Sequence, residues 1–553
     1  MKTTICIFAL AVLIGGCGER CKAQSVEGDW VGGYQLNGEW TSLLAHFKSE
    51  QQATKGTLEI ESFDESKIKP SVELKELNLC GSRLRFEMPN GATAISFDGA
   101  VKSNRIDGKF VSEGKQGRFE LQRTIKIEPS EFHRYIGAYQ LGPKEFISFG
   151  RFQMPGSDGR WTAIDRLSYA DTISGRNGWL VHLASSEFII GPALGLDYPP
   201  DISINFITDP SGEVTGLKWR HGGVEKTATR VKLIEEDVKF SHGDVTLAGT
   251  LVMPATKGPH PALVLIHGST PLVRYYFAAI PYNYAANGVA VLFYDKRGCG
   301  QSTGKFSSSL PIETLAADAV AGVQYLKSRK EIRPDQIGVD GHSQGGWVAP
   351  AAASMSKDIA FVMAGAASGW STEDNIVYEL DSDLRANGFS EADRARAKAL
   401  YKQGTEVVIA GGEGWNKWRE EINKAKNEKW FQWARTPPSL IEMNEANRSR
   451  ILDWIKREHA SMFDPVPVWE KITVPVLFYG GELDRFVPTK ESAVIIDRAL
   501  KKSGNKDYTI KIFPGANHGL WAVEPGDQAQ RLNHQVHVKY LIDWLLRHVT
   551  VSS

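Results

Sequence analysis

The chain has 553 residues, which at ~150 residues per domain allows three to four domains. Its 65 Lys and Arg balance 65 Asp and Glu, so the formal charge is zero and neither a basic nucleic-acid binder nor a polyacidic chain fits. At 42% hydrophobic and 24% charged, with 15 Trp, the composition excludes a disordered chain, and five Cys are too few for a disulfide scaffold.

Residues 1–24 read as an export signal. Lys2 supplies a positive start, and the apolar run from Ile5 to Ile14 is shorter than the about 20 residues a membrane-spanning helix needs. Ile14-Gly15-Gly16-Cys17 resembles a bacterial lipobox, in which the Cys becomes the lipidated N-terminus. Cys17 is therefore expected to attach the protein to a membrane of the cell envelope. Cleavage after Ala23 is the alternative, which would leave it in the periplasm or outside. Cys17, Cys21, Cys80 and Cys299 form no pattern of pairs, so no structural disulfide is expected. No Cys/His spacing points to a metal.

From about 25 to 233 the chain reads as β-structure. Short alternating runs such as Leu43–Lys48, Thr57–Glu61, Arg83–Glu87 and Gly117–Gln122 are separated by Gly, Asn and Asp turns. Gly32-Gly33-Tyr34-Gln35-Leu36 recurs as Gly137-Ala138-Tyr139-Gln140-Leu141. Each copy closes on an Arg-terminated strand, at Phe119–Arg123 and Thr227–Arg230. Two small all-β modules are expected, 25–127 and 128–233.

Near 235 the pattern changes to strands alternating with helices, the signature of an α/β fold with a mostly parallel sheet. An opening hairpin is expected at Val238–Phe240 and Leu247–Met253. Strands follow at Pro261–Ile266, Val289–Tyr294, Ile337–Asp340, Ile359–Met363, Val474–Tyr479 and Tyr508–Phe513. A helix over 312–329 presents Leu315, Ala319, Val323 and Leu326 on one face, and a closing helix is expected over 528–548. The core is thus split into 235–369 and 466–553. Residues 370–465 lack strand-like runs and read as a helical lid over the C-terminal edge of the sheet. Trp415, Trp418, Trp430, Trp433 and Trp454 either form the lid's own core or line an acyl or aromatic pocket.

The chemistry-bearing motif is Gly341-His342-Ser343-Gln344-Gly345, a G-x-S-x-G run between a strand and a helix. Such a turn is tight, so its flanks must be small, and it presents the Ser343 hydroxyl free. A Ser hydroxyl needs an adjacent base to act as a nucleophile. His518, in the loop after Tyr508–Phe513, is the candidate, while His342 is held by the backbone of the turn and reads as packing, and His459, His534 and His537 read as surface or packing residues on helices. The base needs an acid to fix its tautomer. Asp484, just past Val474–Tyr479, is preferred, with Glu482 as the rival. The N–H groups of Gln344 and of Ser269, in His267-Gly268-Ser269, are the candidate oxyanion donors, with the His267 ring as packing.

The order Ser343, Asp484, His518 and the run Tyr294-Asp295-Lys296-Arg297-Gly298-Cys299-Gly300-Gln301-Ser302 resemble serine α/β-hydrolases. The likeness lies in the broad neighbourhood of the dienelactone-hydrolase, prolyl-oligopeptidase-like and serine-aminopeptidase-like families. It implies an α/β-hydrolase fold with a helical lid insertion, preceded by two accessory β-modules, and a mainly structural role for Asp295 and Arg297. The expected activity is cleavage of a small-molecule carboxylic ester through an acyl-enzyme. The alternative is a serine peptidase acting on short peptides, whose free N-terminus would need lid carboxylates such as Glu373, Asp374, Glu379 and Asp381. No cofactor is expected, since neither a dinucleotide fingerprint nor a phosphate-binding loop is present.

Overall fold

The computed structural model describes residues 25–50, 53–59, 72–90, 93–154, 164–190, 198–434, 447–523, 532–535 and 537–551. The expected export signal and Cys17 lie outside the described residues. Two compact units emerge, divided between Thr124 and Ile125.

The first unit is one antiparallel nine-stranded sheet. Its opening strand, Gly28–Leu36, sits mid-sheet between the second strand, Glu39–Glu50, and the last, Lys115–Arg123. Strands alternate exposed and buried residues, as in Arg83–Asn90, so one face carries the core. Trp30, Phe47, Phe86, Phe97, Phe110 and Phe119 fill it. Within the second unit, Gly137–Gly142 opens another nine-stranded sheet and is flanked in the same way by Glu145–Met154 and Val224–Arg230. The two sheets share their strand order, which is what the Gly/Tyr repeat records. The terminal arginines also match. Arg123 donates to the carbonyls of Ser25 and Glu27 and lies over Trp30, and Arg230 donates to those of Arg134 and Ile136 and lies over Tyr139.

The rest of the second unit is built on an eight-stranded sheet: β1 (Leu233–His242), β2 (Val245–Pro254), β3 (His260–Ile266), β4 (Ala290–Tyr294), β5 (Ile332–His342), β6 (Phe361–Gly365), β7 (Val476–Gly481) and β8 (Tyr508–Phe513). Their spatial order is β1-β2-β4-β3-β5-β6-β7-β8. After the antiparallel β1–β2–β4 edge, every pairing from β4 to β8 is parallel. Every residue of β3, β4, β6 and β7 is buried, because a parallel sheet is covered on both faces. Successive side chains divide between two cores: Val264, Ile266 and Leu292 face one, and Leu263, Leu265 and Phe293 the other.

Two helices on the first face are α1 (Ile312–Lys327) and α2 (Gln344–Met355). Between β6 and β7 the chain forms helices Thr372–Ala386, Glu391–Ile409, Trp415–Ala425 and Arg448–Ser461. Trp415, Trp418 and Trp430 are buried in that insertion's own core, with Trp433 and Trp454 packed against it. The pocket-lining alternative therefore does not hold for the first three.

The C-terminal helix begins at Val538, ten residues later than the sequence indicates. Leu532–Gln535 instead pairs as a strand with Trp521–Val523, so His534 lies on a strand and not on a helix. Tertiary pairing overrides a helical pattern there. Within the same unit, Glu145–Met154 of the second β-sheet packs on the segment after β3. A Cβ at Gly150 would come within 2.1 Å of the Ala278 carbonyl oxygen, and Ser148 Oγ donates to Asn283 Oδ1 at 2.8 Å. That β-sheet thus buttresses the segment that continues from His267-Gly268-Ser269.

Candidate active site

Ser343 stands between β5 and α2 with φ 60° and ψ −122°, a strained conformation for a residue with a side chain. The neighbouring chain leaves no alternative to glycine. A Cβ at Gly341 would sit 2.0 Å from the Gly345 carbonyl oxygen, and one at Gly345 would sit 2.6 Å from that of Ile266. The second contact also explains why the start of α2 lies against the end of β3. Ser343 N–H donates to Gly365 O on β6 at 2.9 Å, which ties the turn to its other neighbour. Gln344 is the first residue of α2, so its N–H has no acceptor within the helix. Gly268 approaches from β3, and a Cβ there would meet Ser343 Cβ at 3.6 Å, an ordinary contact. Ser269, the next residue, is exposed. The two candidate oxyanion donors therefore flank the Ser343 turn.

Asp484 and His518 come together from the loops after β7 and β8. His518 Nδ1 lies 2.8 Å from Asp484 Oδ2. The Asp484 side chain is fully buried, and its Oδ1 accepts the N–H groups of Phe486 at 2.8 Å and Val487 at 2.9 Å. Glu482, the rival acid, is engaged elsewhere. It accepts from Lys490 at 3.0 Å and from Gly515 N–H at 3.1 Å, and these bonds hold its carboxyl below the usual range. A Cβ at Gly481 would lie 2.2 Å from Asn517 O, so the acid and histidine loops are in direct backbone contact.

His342 packs as expected, but with a specific contact. Its Nε2 donates to His518 O at 2.8 Å, and the two rings are 5.1 Å apart. The residue beside Ser343 thus holds the backbone of His518. Burial pushes its pKa down to about 4, so it stays neutral. His267 is buried against Phe277 and Tyr294 with its pKa pushed down to about 3 by burial. His537 is likewise buried, with its pKa at about 3 for the same reason. His459 is exposed.

Three residues near the site escaped the sequence reading. Tyr378, on the helix Thr372–Ala386 after β6, donates its hydroxyl to Asp484 O at 2.9 Å, so the insertion holds the acid loop. Phe486 places its half-exposed ring 5.0 Å from that of His518. Lys296 is buried and reaches both oxyanion segments. Its flanking residues are structural braces, as the resemblance implies: Asp295 accepts from Arg274 and Gln301 N–H, and Arg297 pairs with Asp318. Among the described residues, no group of three or more His, Cys, Asp or Glu is placed to share a metal ion. The described cysteines, Cys80 and Cys299, are free thiols.

A family model described as the alpha/beta hydrolase family matches residues 263–532. Esterase EstD of Thermotoga maritima is 31% identical over 358 residues, covering 63% of this chain and 76% of that protein. Quorum-quenching protein AidA of Acinetobacter baumannii is 30% identical over 138 residues, 25% of this chain and 45% of that protein. Among solved structures, the alpha/beta hydrolase GrgF from Penicillium sp. sh18 aligns with a TM-score of 0.36 at 20% identity, over 57% of this chain and 99% of that one. The chain belongs to the alpha/beta hydrolase family.

Proposed function

We propose that the protein is a serine hydrolase of carboxylic esters. The observation that carries this is the pairing of buried Asp484 with partly exposed His518 at 2.8 Å, with the His518 carbonyl held by the residue next to Ser343. Ser343 Oγ attacks the ester carbonyl carbon while His518 Nε2 takes its proton. Asp484 accepts the Nδ1–H and stabilises the imidazolium that forms. The N–H groups of Gln344 and Ser269 receive the oxyanion. Collapse of the tetrahedral intermediate breaks the C–O bond, and the imidazolium delivers its proton to the leaving alcohol. Water then attacks the acyl-enzyme by the same route and releases the acid. Half-exposed Phe486, beside His518, provides an apolar surface for the substrate.

Two things favour an ester over a peptide. The relative of highest coverage given above is named an esterase. Three of the four lid carboxylates named for a peptide N-terminus, all but Glu373, are already engaged. Asp381 is held by Arg385, Arg394 and Lys398, Asp374 bonds Ser371 at its helix start, and Glu379 accepts from Asn375. Export and lipid attachment through Cys17 belong to the same proposal and rest on the lipobox-like motif alone.

The test runs p-nitrophenyl esters from acetyl to decanoyl beside aminoacyl and dipeptidyl anilides, with Ser343→Ala in parallel. Ester turnover that vanishes in the variant, with anilides untouched, is expected. Anilide turnover at comparable kcat/KM would transfer the assignment to a peptidase. Retention of most ester turnover in Ser343→Ala would remove Ser343 as nucleophile.

A further inference from the structure

Lys296 stands just past the end of β4 and has no task in the mechanism above. Only 4% of it is exposed. Its ammonium donates to Gly268 O at 2.7 Å and to Gln344 Oε1 at 2.8 Å, and the face of Phe306 lies 5.3 Å away. No carboxylate pairs with it among the described residues. A buried cation without a counter-ion is costly unless its charge is used. Both of its acceptors belong to the segments that carry the candidate oxyanion donors. Gly268 O lies in the same planar peptide as Ser269 N–H and points the opposite way. A cation on that oxygen therefore fixes where the N–H aims and polarises it as a donor. The second bond ties down Gln344, whose own N–H is the other donor.

We propose that Lys296 is a positioning residue for ester cleavage: it clamps the Gly268–Ser269 peptide to Gln344, so that both N–H groups converge on the developing oxyanion within its positive field. This role rests on the reading of Ser343 as nucleophile and of Ser269 and Gln344 as oxyanion donors. None of the described groups facing Lys296 forms an ion pair with it. His267, at the end of β3, is neutral, and Lys296 itself contributes to that. The buried Cys299 thiol is pushed up to about 11 and is uncharged at neutral pH. Asp318 on α1 is taken by Arg297 and His242. Burial lowers the Lys296 pKa to about 8, with Cys299 and Asp318 acting in the other direction. The ammonium is thus present at pH 7 and is lost as pH rises through about 8.

The experiment compares wild type with Lys296→Met, which keeps an unbranched side chain one atom shorter and removes the charge. Readouts are kcat and KM on p-nitrophenyl butyrate, and the Ki of an alkyl trifluoromethyl ketone, whose adduct with a serine places an oxyanion in the same position. The expected result is a kcat lower by about 10- to 100-fold, less than the loss of a direct oxyanion donor. KM should stay within about twofold, Ki should weaken by the factor lost in kcat, and the alkaline fall of wild-type kcat above pH 8 should disappear. A kcat within about threefold of wild type, a loss confined to KM, or an unchanged alkaline limb overturns the proposal. If Lys296→Met does not fold, the wild-type Ki decides. It should weaken by about tenfold between pH 7 and 9.5, and a constant Ki overturns the proposal. Ser343→Ala separates the two levels: turnover that survives in it refutes the nucleophile assignment itself, whatever Lys296 does.

Discussion

Asp484→Asn has an outcome that the surrounding hydrogen bonds dictate. In the native protein Oδ1 accepts two backbone N–H groups, from Phe486 and Val487, and Oδ2 faces His518 Nδ1. An Asn side chain can keep the two backbone bonds only by placing its oxygen where Oδ1 was. Its NH2 then faces His518 and must donate to Nδ1. That forces the ring proton onto Nε2, the atom that has to accept the Ser343 proton. The variant also loses the carboxylate that stabilises the imidazolium. At about 4 Å between charge centres and an effective dielectric of about 20, that attraction is about 4 kcal/mol. Adding about 1 kcal/mol for the wrong tautomer gives about 5 kcal/mol, or a fall of about 10⁴-fold in kcat, in line with what such a substitution does in a Ser-His-Asp triad. The assay is kcat on p-nitrophenyl butyrate, with thermal melting to confirm the fold and Glu482→Gln alongside. Glu482 is exposed and bonds Lys490 and Gly515, so its variant should keep activity within about threefold. Activity above a tenth of wild type in Asp484→Asn, or a Glu482→Gln variant that loses as much, would refute the assignment.

Two further outcomes can be checked. Tyr378→Phe removes one hydrogen bond to the Asp484 carbonyl, worth about 1 kcal/mol, so kcat should fall about fivefold with the fold intact; no change would show that the insertion does not steady the acid loop. Burial pushes the Asp340 carboxyl up to about 7 despite the Tyr284 and Tyr479 hydroxyls that donate to it. The folded state therefore holds a proton that the unfolded chain, with a pKa near 4, gives up, and this contribution to stability is lost as pH rises from about 4 to 7. Asp340→Asn should thus gain on wild type by up to about 4 kcal/mol across that window in urea unfolding. The comparison cancels the buried histidines, and a difference independent of pH would show that Asp340 ionises normally.

Much of the site was legible because its parts are local. A strand, a tight turn and a helix around Ser343 lie within a few residues, and the glycines at 341 and 345 declare the close approaches that the structure shows. The buried strands were legible as unbroken apolar runs, since a covered parallel sheet needs no alternation. The choice of Asp484 over Glu482 rested only on distance from the strand end. The structure distinguishes them by where each carboxylate points.

What the sequence could not hold is whatever depends on which strand ends become neighbours. Leu532–Gln535 carries helical character but pairs as a strand with Trp521–Val523, because a partner segment was within reach. The lid tryptophans could be core or pocket by composition, and packing among the insertion's helices made core of Trp415, Trp418 and Trp430. Lys296 is the clearest case. In the chain it is one residue of a motif whose neighbours are structural. Only because β3 lies between β4 and β5 do the loops after all three strands meet at one edge of the sheet. There a side chain leaving β4 can reach Gly268 after β3 and Gln344 after β5. Residue order along the chain carries no record of that adjacency, since strand order is settled by the packing of the whole sheet.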